Sequence, residues 1–191
     1  MEPINHEQTL LHNAAVSCND EYLDEVLNNT LNINVADSVG RTALHKAAHF
    51  GVYHSVESLI KKGADVNVVD ERGYSPLYDA VYSLLKDYAT SNYPYGEYEE
   101  VKRMIIVLHS HREDSSEKVR FKVDPNLTNF SSSLKKTINL LLDNGAKPDN
   151  KDKAGLSVID TCFKYPTMND YLSGLNGNFI YLKSKLSKNE L

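Results

Sequence analysis

The histidines and acids are the residues whose types and spacing could do chemistry. His45 and His49 stand four apart, one helical turn, a spacing that can put two imidazoles on one metal ion. The zinc-protease form of that pair needs a glutamate beside the first histidine, and Lys46 is there instead. His109-Ser110-His111 sets two more imidazoles close together, in a polar stretch with no cysteine or acidic pair at ligand spacing. Cys162 with one of the seven histidines would make a nucleophile and its base, but nothing in the sequence brings them together. Glu99-Glu100 and Glu113-Asp114 lie in charged segments and read as solvated surface. There is no GxGxxG or GxxxxGK[ST] phosphate loop and no GxSxG elbow. The expectation is no catalytic residue, no metal, no cofactor and no small-molecule substrate.

The elements that carry these side chains belong to one folded domain. The chain has 191 residues, 41% hydrophobic and 25% charged, which is the composition of a globular protein with a substantial core. Its longest apolar run, Met104 to Leu108, is far too short to span a bilayer. The first ten residues, MEPINHEQTL, lack the basic and apolar segments of a signal peptide. Two cysteines, Cys18 and Cys162, each in a segment read as helical, suggest reduced, partly buried thiols and no disulfide framework. An intracellular protein, cytoplasmic or nuclear, is expected, without a membrane partner. The net charge of −5 argues against nucleic acid, whose binding needs a basic surface that releases counterions.

The chain is organised by a repeat. Thr9-Leu10-Leu11-His12-Asn13-Ala14-Ala15 returns 33 residues later as Thr42-Ala43-Leu44-His45-Lys46-Ala47-Ala48, and after another 33 as Ser75-Pro76-Leu77-Tyr78-Asp79-Ala80-Val81. Asp37 and Gly40 recur at the same step as Asp70 and Gly73. A fixed period of this length marks a solenoid, each unit being one supersecondary element that buries its apolar face against its neighbours. In the best copy, Thr42 is placed to cap a helix whose packing face is Leu44, Ala47 and Ala48. Val56, Leu59 and Ile60 form the stripe of a second helix, closed by Gly63. By the same reasoning Thr9 caps a helix from about Leu10 to Cys18, and a second helix runs from Asp20 to Asn28.

The third unit is interrupted. Thr42 to Gly63 spans 21 residues but Ser75 to Gly145 spans 70, so about 49 have been inserted. Leu134 to Asn144, followed by Gly145-Ala146, matches the closing helix, and Tyr98 to His109 also has the apolar spacing; the later segment is favoured for its glycine. The insert, about 88–133, would then hold an extra helix, a polar loop at His109 to Lys118 and a short strand at Val119 to Val123. The expected division is 1–36 as N-terminal capping repeat, 37–69 as the second repeat, 70–151 as the third with its insert, and 152–191 as a degenerate repeat and C-terminal cap.

These motifs resemble the ankyrin repeat, and the resemblance covers nearly the whole chain outside the insert. It implies an all-α solenoid of about four helix-turn-helix repeats joined by extended finger loops. It also implies that the Thr and His of each tetrapeptide, Thr9/His12 and Thr42/His45, tie the helix start to the next repeat; Tyr78 departs from that pattern. Leu59 to Asn67 is similar to the segment that asparaginyl hydroxylases modify in animal ankyrin proteins, with Asn67 as acceptor. The preferred reading of Asn67 is a brace for the finger through backbone hydrogen bonds.

The resemblance further implies a partner protein held at the finger tips and the open side of the first helices. On this chain those positions are Ser38, Val39, Arg41, His49 and Phe50, then Glu71, Arg72, Tyr74, Tyr82 and Ser83, then Lys153, Leu156 and Lys164. Aromatic residues and arginine among them have the character of binding hot spots. Tyr88, Tyr93, Tyr95 and Tyr98, around Pro94 and Gly96, form a second candidate surface, or else a loop folded back over helices the insert leaves open. The function expected is non-catalytic binding, as adaptor, regulator or inhibitor. The alternatives are an enzyme whose site lies in the insert and a self-associating subunit. Richness in Asn, Lys, Ile and Tyr suits an AT-rich genome, so an effector of an intracellular bacterium, acting in host cytoplasm, is one source considered.

Overall fold

The computed structural model describes residues 6–92, 127–158 and 160. They form six helices: α1 (His6–Ala14), α2 (Asp20–Asn29), α3 (Ala43–His49), α4 (Tyr53–Lys61), α5 (Pro76–Asn92) and α6 (Leu127–Asp143). Consecutive helices pair as α1/α2, α3/α4 and α5/α6. The first members stack α1 on α3 on α5, and the second members α2 on α4 on α6. Each pair therefore touches its neighbours in the stack, which is the arrangement that the 33-residue period requires. Among the described residues there is no strand beyond two isolated bridges, Ala36 to Thr42 and Lys151 to Ser157, at the bases of fingers.

The core follows from the repeat. Leu11, Leu44 and Leu77 from the first helices are fully buried with Leu23, Leu59, Leu134, Ile138 and Leu141 from the second. Ala14, Ala15, Ala47, Ala48 and Ala80 have no exposed surface, and their small side chains let the helix pairs approach closely. The closing helix of the third unit is α6, as Gly145-Ala146 suggests. Its buried Leu134, Ile138 and Leu141 stand 82 residues after Val52, Val56 and Leu59. Its end is built like that of α4: Gly63 and Ala64 donate to Ile60 and Leu59 carbonyls at 2.9 and 3.0 Å, and Gly145 and Ala146 to Leu142 and Leu141 at 3.0 and 2.9 Å. Between α5 and α6 lie residues 93–126, outside the described residues, with the helix read at Tyr98 to His109 and the strand at Val119 to Val123.

Several boundaries differ from the sequence reading. The first helix begins at His6, four residues early, so Thr9 lies inside it and is not its cap. Residues 1–8 carry no Asp-x-x-Gly turn of the kind that opens the later units. The helix also ends at Ala14, and Cys18 is an exposed residue with φ 53° in the turn before α2, neither helical nor buried. Asn19 supplies the next cap, its Oδ1 accepting from the Tyr22 amide at 3.0 Å. α5 continues through Tyr88 to Asn92, past the expected start of the insert. α6 starts seven residues before Leu134, where serines of weak helix propensity hide the pattern. There the Ser133 hydroxyl donates to the Gly51 carbonyl at 2.5 Å and fixes the early turn against the α3–α4 connection.

Candidate functional site

Three aspartates build the fingers. In each, one carboxylate oxygen accepts two amides across the turn: Asp37 from Val39 (3.1 Å) and Arg41 (2.9 Å), Asp70 from Arg72 and Tyr74 (2.9 Å each), Asp152 from Ala154 (2.8 Å) and Leu156 (2.9 Å). This is the local side-chain turn that aspartate favours over regular structure. The fingers stack through their backbones, the Glu71 amide donating to the Val39 carbonyl at 3.1 Å and the Lys153 amide to Arg72 at 3.0 Å. Stacking brings the backbones so close that a Cβ on Gly40 would lie 2.9 Å from the Glu71 nitrogen.

Imidazoles tie the Asp37 and Asp70 fingers to the helices before them. His12 Nε2 donates to the Arg41 carbonyl at 2.7 Å, and His45 Nε2 to the Tyr74 carbonyl at 2.9 Å. At its other nitrogen His45 Nδ1 accepts the Thr42 amide at 3.1 Å and lies 3.0 Å from the Thr42 hydroxyl, which caps α3. In the next unit Tyr78 stands at the histidine position and stacks on Tyr74, centroids 4.1 Å apart with planes 8° from parallel. Ser75 caps α5 there, its hydroxyl accepting the Tyr78 amide at 3.2 Å. Asparagines add a second tie. Asn34 Oδ1 accepts the Asp65 amide at 2.9 Å, and Asn67 Oδ1 accepts the Lys147 amide at 2.8 Å while its Nδ2 donates to Gly145 at 3.0 Å. Asn67 is thus a brace, as its preferred reading holds, but between repeats and not within one finger.

An ion pair lies under the open face. Arg41 Nη2 donates to Asp79 Oδ2 at 2.7 Å, joining the second finger to α5, with the Asp79 side chain 1% exposed. Burial is the largest influence and would lower the Arg41 pKa, but Asp79, Asp70 and Asp37 together outweigh it and hold the guanidinium above its ordinary value. Asp79 Oδ1 is also 3.9 Å from His49 Nδ1, and the Ser83 hydroxyl is 3.0 Å from the same nitrogen. Around His49, Phe50 packs edge-on at 5.1 Å and Tyr82 is roughly parallel at 6.4 Å.

The residues expected to meet a partner fall into two groups. Val39 (44% exposed), Phe50 (53%) and Glu71 are at the surface, Arg72 is half-buried, and Arg41 and His49 keep part of their side chains exposed. Tyr74, Tyr82 and Ser83 are buried, at 2, 4 and 6%: Tyr74 stacks on Tyr78 and accepts from His45, and α5 sets Tyr82 and Ser83 against His49 of α3. They are floor beneath the surface and do not reach out of it. Tyr93, Tyr95, Tyr98 and Lys164 lie outside the described residues. Asp79 was missed by sequence reading, although a signal was there: at the 33-residue step it replaces Lys46, an anion for a cation.

Ser83 and Asp79 address the same nitrogen of His49, whereas a nucleophile relay needs them on opposite nitrogens. His45 uses both ring nitrogens within the fold, so it has none to offer a metal beside His49. Among the described residues no three of His, Cys, Asp and Glu gather as a metal site, and no helix is long and apolar enough to cross a membrane.

Comparison with known proteins agrees with this architecture. The family model for ankyrin repeats in three copies matches residues 4–91. The ankyrin repeat protein FPV223 of fowlpox virus (strain NVSL) is 30% identical over 136 residues, 71% of this chain and 84% of that protein. The chain belongs to the ankyrin-repeat family. Ankyrin repeats generally bind proteins. Two further relatives are much longer than the chain. The B-cell lymphoma 3 protein homolog of Mus musculus is 37% identical over 81 residues, 40% of this chain and 18% of that protein. A homolog of transient receptor potential cation channel subfamily A member 1 from Caenorhabditis elegans is 28% identical over 170 residues, 88% of this chain and 12% of that one.

Proposed function

We propose that this ankyrin domain is a non-catalytic adaptor, regulator or inhibitor that holds a partner protein against its finger tips and the open side of its first helices. The observation that carries the reading is the exposure of two large apolar side chains on rigid supports. Val39 stands at a finger tip fixed by Asp37 and by the Glu71 amide, and Phe50 caps the end of α3 against His49. Apolar side chains held in place lose little entropy on binding, and aromatic anchors of this kind dominate interface energetics. Glu71 and Arg72 supply polar groups in the same row of tips.

The experiment is affinity capture by wild type and by a Val39→Ala, Phe50→Ala double variant, with Lys61→Ala on α4 as control. All three are checked for folding by circular dichroism. The reading expects a protein held by wild type and Lys61→Ala and lost by the double variant. Removal of the Phe50 ring should weaken a true partner by about 2 kcal/mol, roughly thirtyfold. A partner retained by all three would put the binding surface elsewhere.

A further inference from the structure

We propose that the finger carrying Glu71 and Arg72 is latched by a neutral histidine and comes loose locally in mild acid, ahead of the rest of the solenoid. The latch is His45, fully buried, with both ring nitrogens engaged. A carbonyl can only accept, so Nε2 carries the proton toward Tyr74. The Thr42 amide can only donate, so Nδ1 keeps its lone pair. A second proton would have to enter at Nδ1, where it would meet an amide hydrogen. Protonation therefore breaks the tie at the α3 cap and places a charge in a dry site.

The charges that act on the ring come from three places. Burial is the largest influence and lowers the pKa; Asp79 on α5 raises it, Arg41 in the second finger lowers it, and Asp70 in the third finger raises it. The Tyr74 carbonyl also favours the charged form, and the balance stays below the ordinary value. The direction of linkage follows. With the folded pKa depressed, the finger-open form binds the extra proton more readily. The closed finger is fully favoured above about pH 6.5, and loses ground as pH falls below it until the folded pKa is reached. At pH 5.5 the opening equilibrium rises by up to about tenfold.

The opening is local because of what covers the ring. The Nε2–H bond to the Tyr74 carbonyl survives protonation, so a charged ring regains water only as the Tyr74 segment moves off it, and Tyr74 closes the finger by accepting from the Asp70 amide at 2.9 Å. The end of α4 has no part in it, being closed by its own Gly63 and Ala64 amides. Local openings of this size are ordinary in solenoids, whose units contact only their neighbours. That a partner is released as the finger loosens rests on the reading under Proposed function; the loosening itself does not.

Amide hydrogen exchange of the whole chain at pH 7.0 and 5.5, corrected for intrinsic rates, tests the latch. Protection of Asp70, Glu71 and Tyr74 should fall by up to about tenfold at the lower pH, while Lys62 and Ala64 at the end of α4 keep theirs. His45→Gln can accept from Thr42 and donate to Tyr74 without titrating, so its finger should show no such fall. Loss of protection in step across the finger and α4, or the same pH dependence in His45→Gln, would overturn the proposal. If His45→Gln does not fold, the wild-type profile decides alone: a fall confined to the finger upholds the latch, and a uniform or absent fall overturns it. An acid-labile finger with no partner lost on capture would leave the latch standing and remove the binding reading.

Discussion

Replacing Gly40 by alanine tests the stacking of the fingers. Gly40 has φ +82°, a backbone conformation that costs an L residue about 1–2 kcal/mol. A Cβ there would also meet the Glu71 nitrogen at 2.9 Å and the Asp70 Cα and carbonyl carbon at 3.2 and 3.3 Å. All three are backbone atoms, so no rotamer change relieves the contact. The next finger must move, straining the bond from the Glu71 amide to Val39, and such overpacking adds about 1–3 kcal/mol. The total expected is about 2–5 kcal/mol. Gly63 is the control within the same repeat: its φ is +90°, but a Cβ there has nothing within 4 Å. Gly63→Ala should therefore show only the conformational cost of about 1–2 kcal/mol. Urea unfolding followed by circular dichroism, with stability taken from linear extrapolation, measures both. Equal losses in the two variants would refute the close approach of neighbouring fingers.

Further substitutions test the packing and the ion pair. Leu141→Ala and Leu59→Ala, at equivalent sites in α6 and α4 and both fully buried, should each cost about 2–5 kcal/mol in urea unfolding. A loss below 1 kcal/mol at Leu141 would show that α6 is not the closing helix of the third unit. Asp79→Asn keeps the volume but leaves Arg41 without its carboxylate, and because Arg41 is 21% exposed the expected loss is about 2–4 kcal/mol. A loss that Arg41→Met in the same chain does not reduce, measured as a double-mutant cycle, would show that the pair is not coupled.

Much of the fold was legible because one repeat reports on the next. Thr42-Ala43-Leu44-His45 and Asp37 to Gly40 gave the helix starts and the fingers by position, and Gly145-Ala146 located the closing helix across about 49 inserted residues. What failed was whatever depended on a neighbour that a period does not describe. Thr9 matched the cap letter for letter, but the helix runs on to His6. Tyr74 and Tyr82 were placed at the surface by their positions in the repeat, and their burial depends on how closely neighbouring elements pack there, which no spacing states. Asp79 was passed over as one more acid. Its place opposite Arg41, 38 residues away, is a tertiary fact.

The proposed binding face is the row of tips together with the end of α3. A photo-crosslinking residue placed singly at Val39, Phe50 or Arg72, and as control at Lys61 on α4, tests it once capture supplies a partner. Crosslinks are expected from the first three positions and none from Lys61. Crosslinking from Lys61, with none from Val39, Phe50 or Arg72, would contradict it.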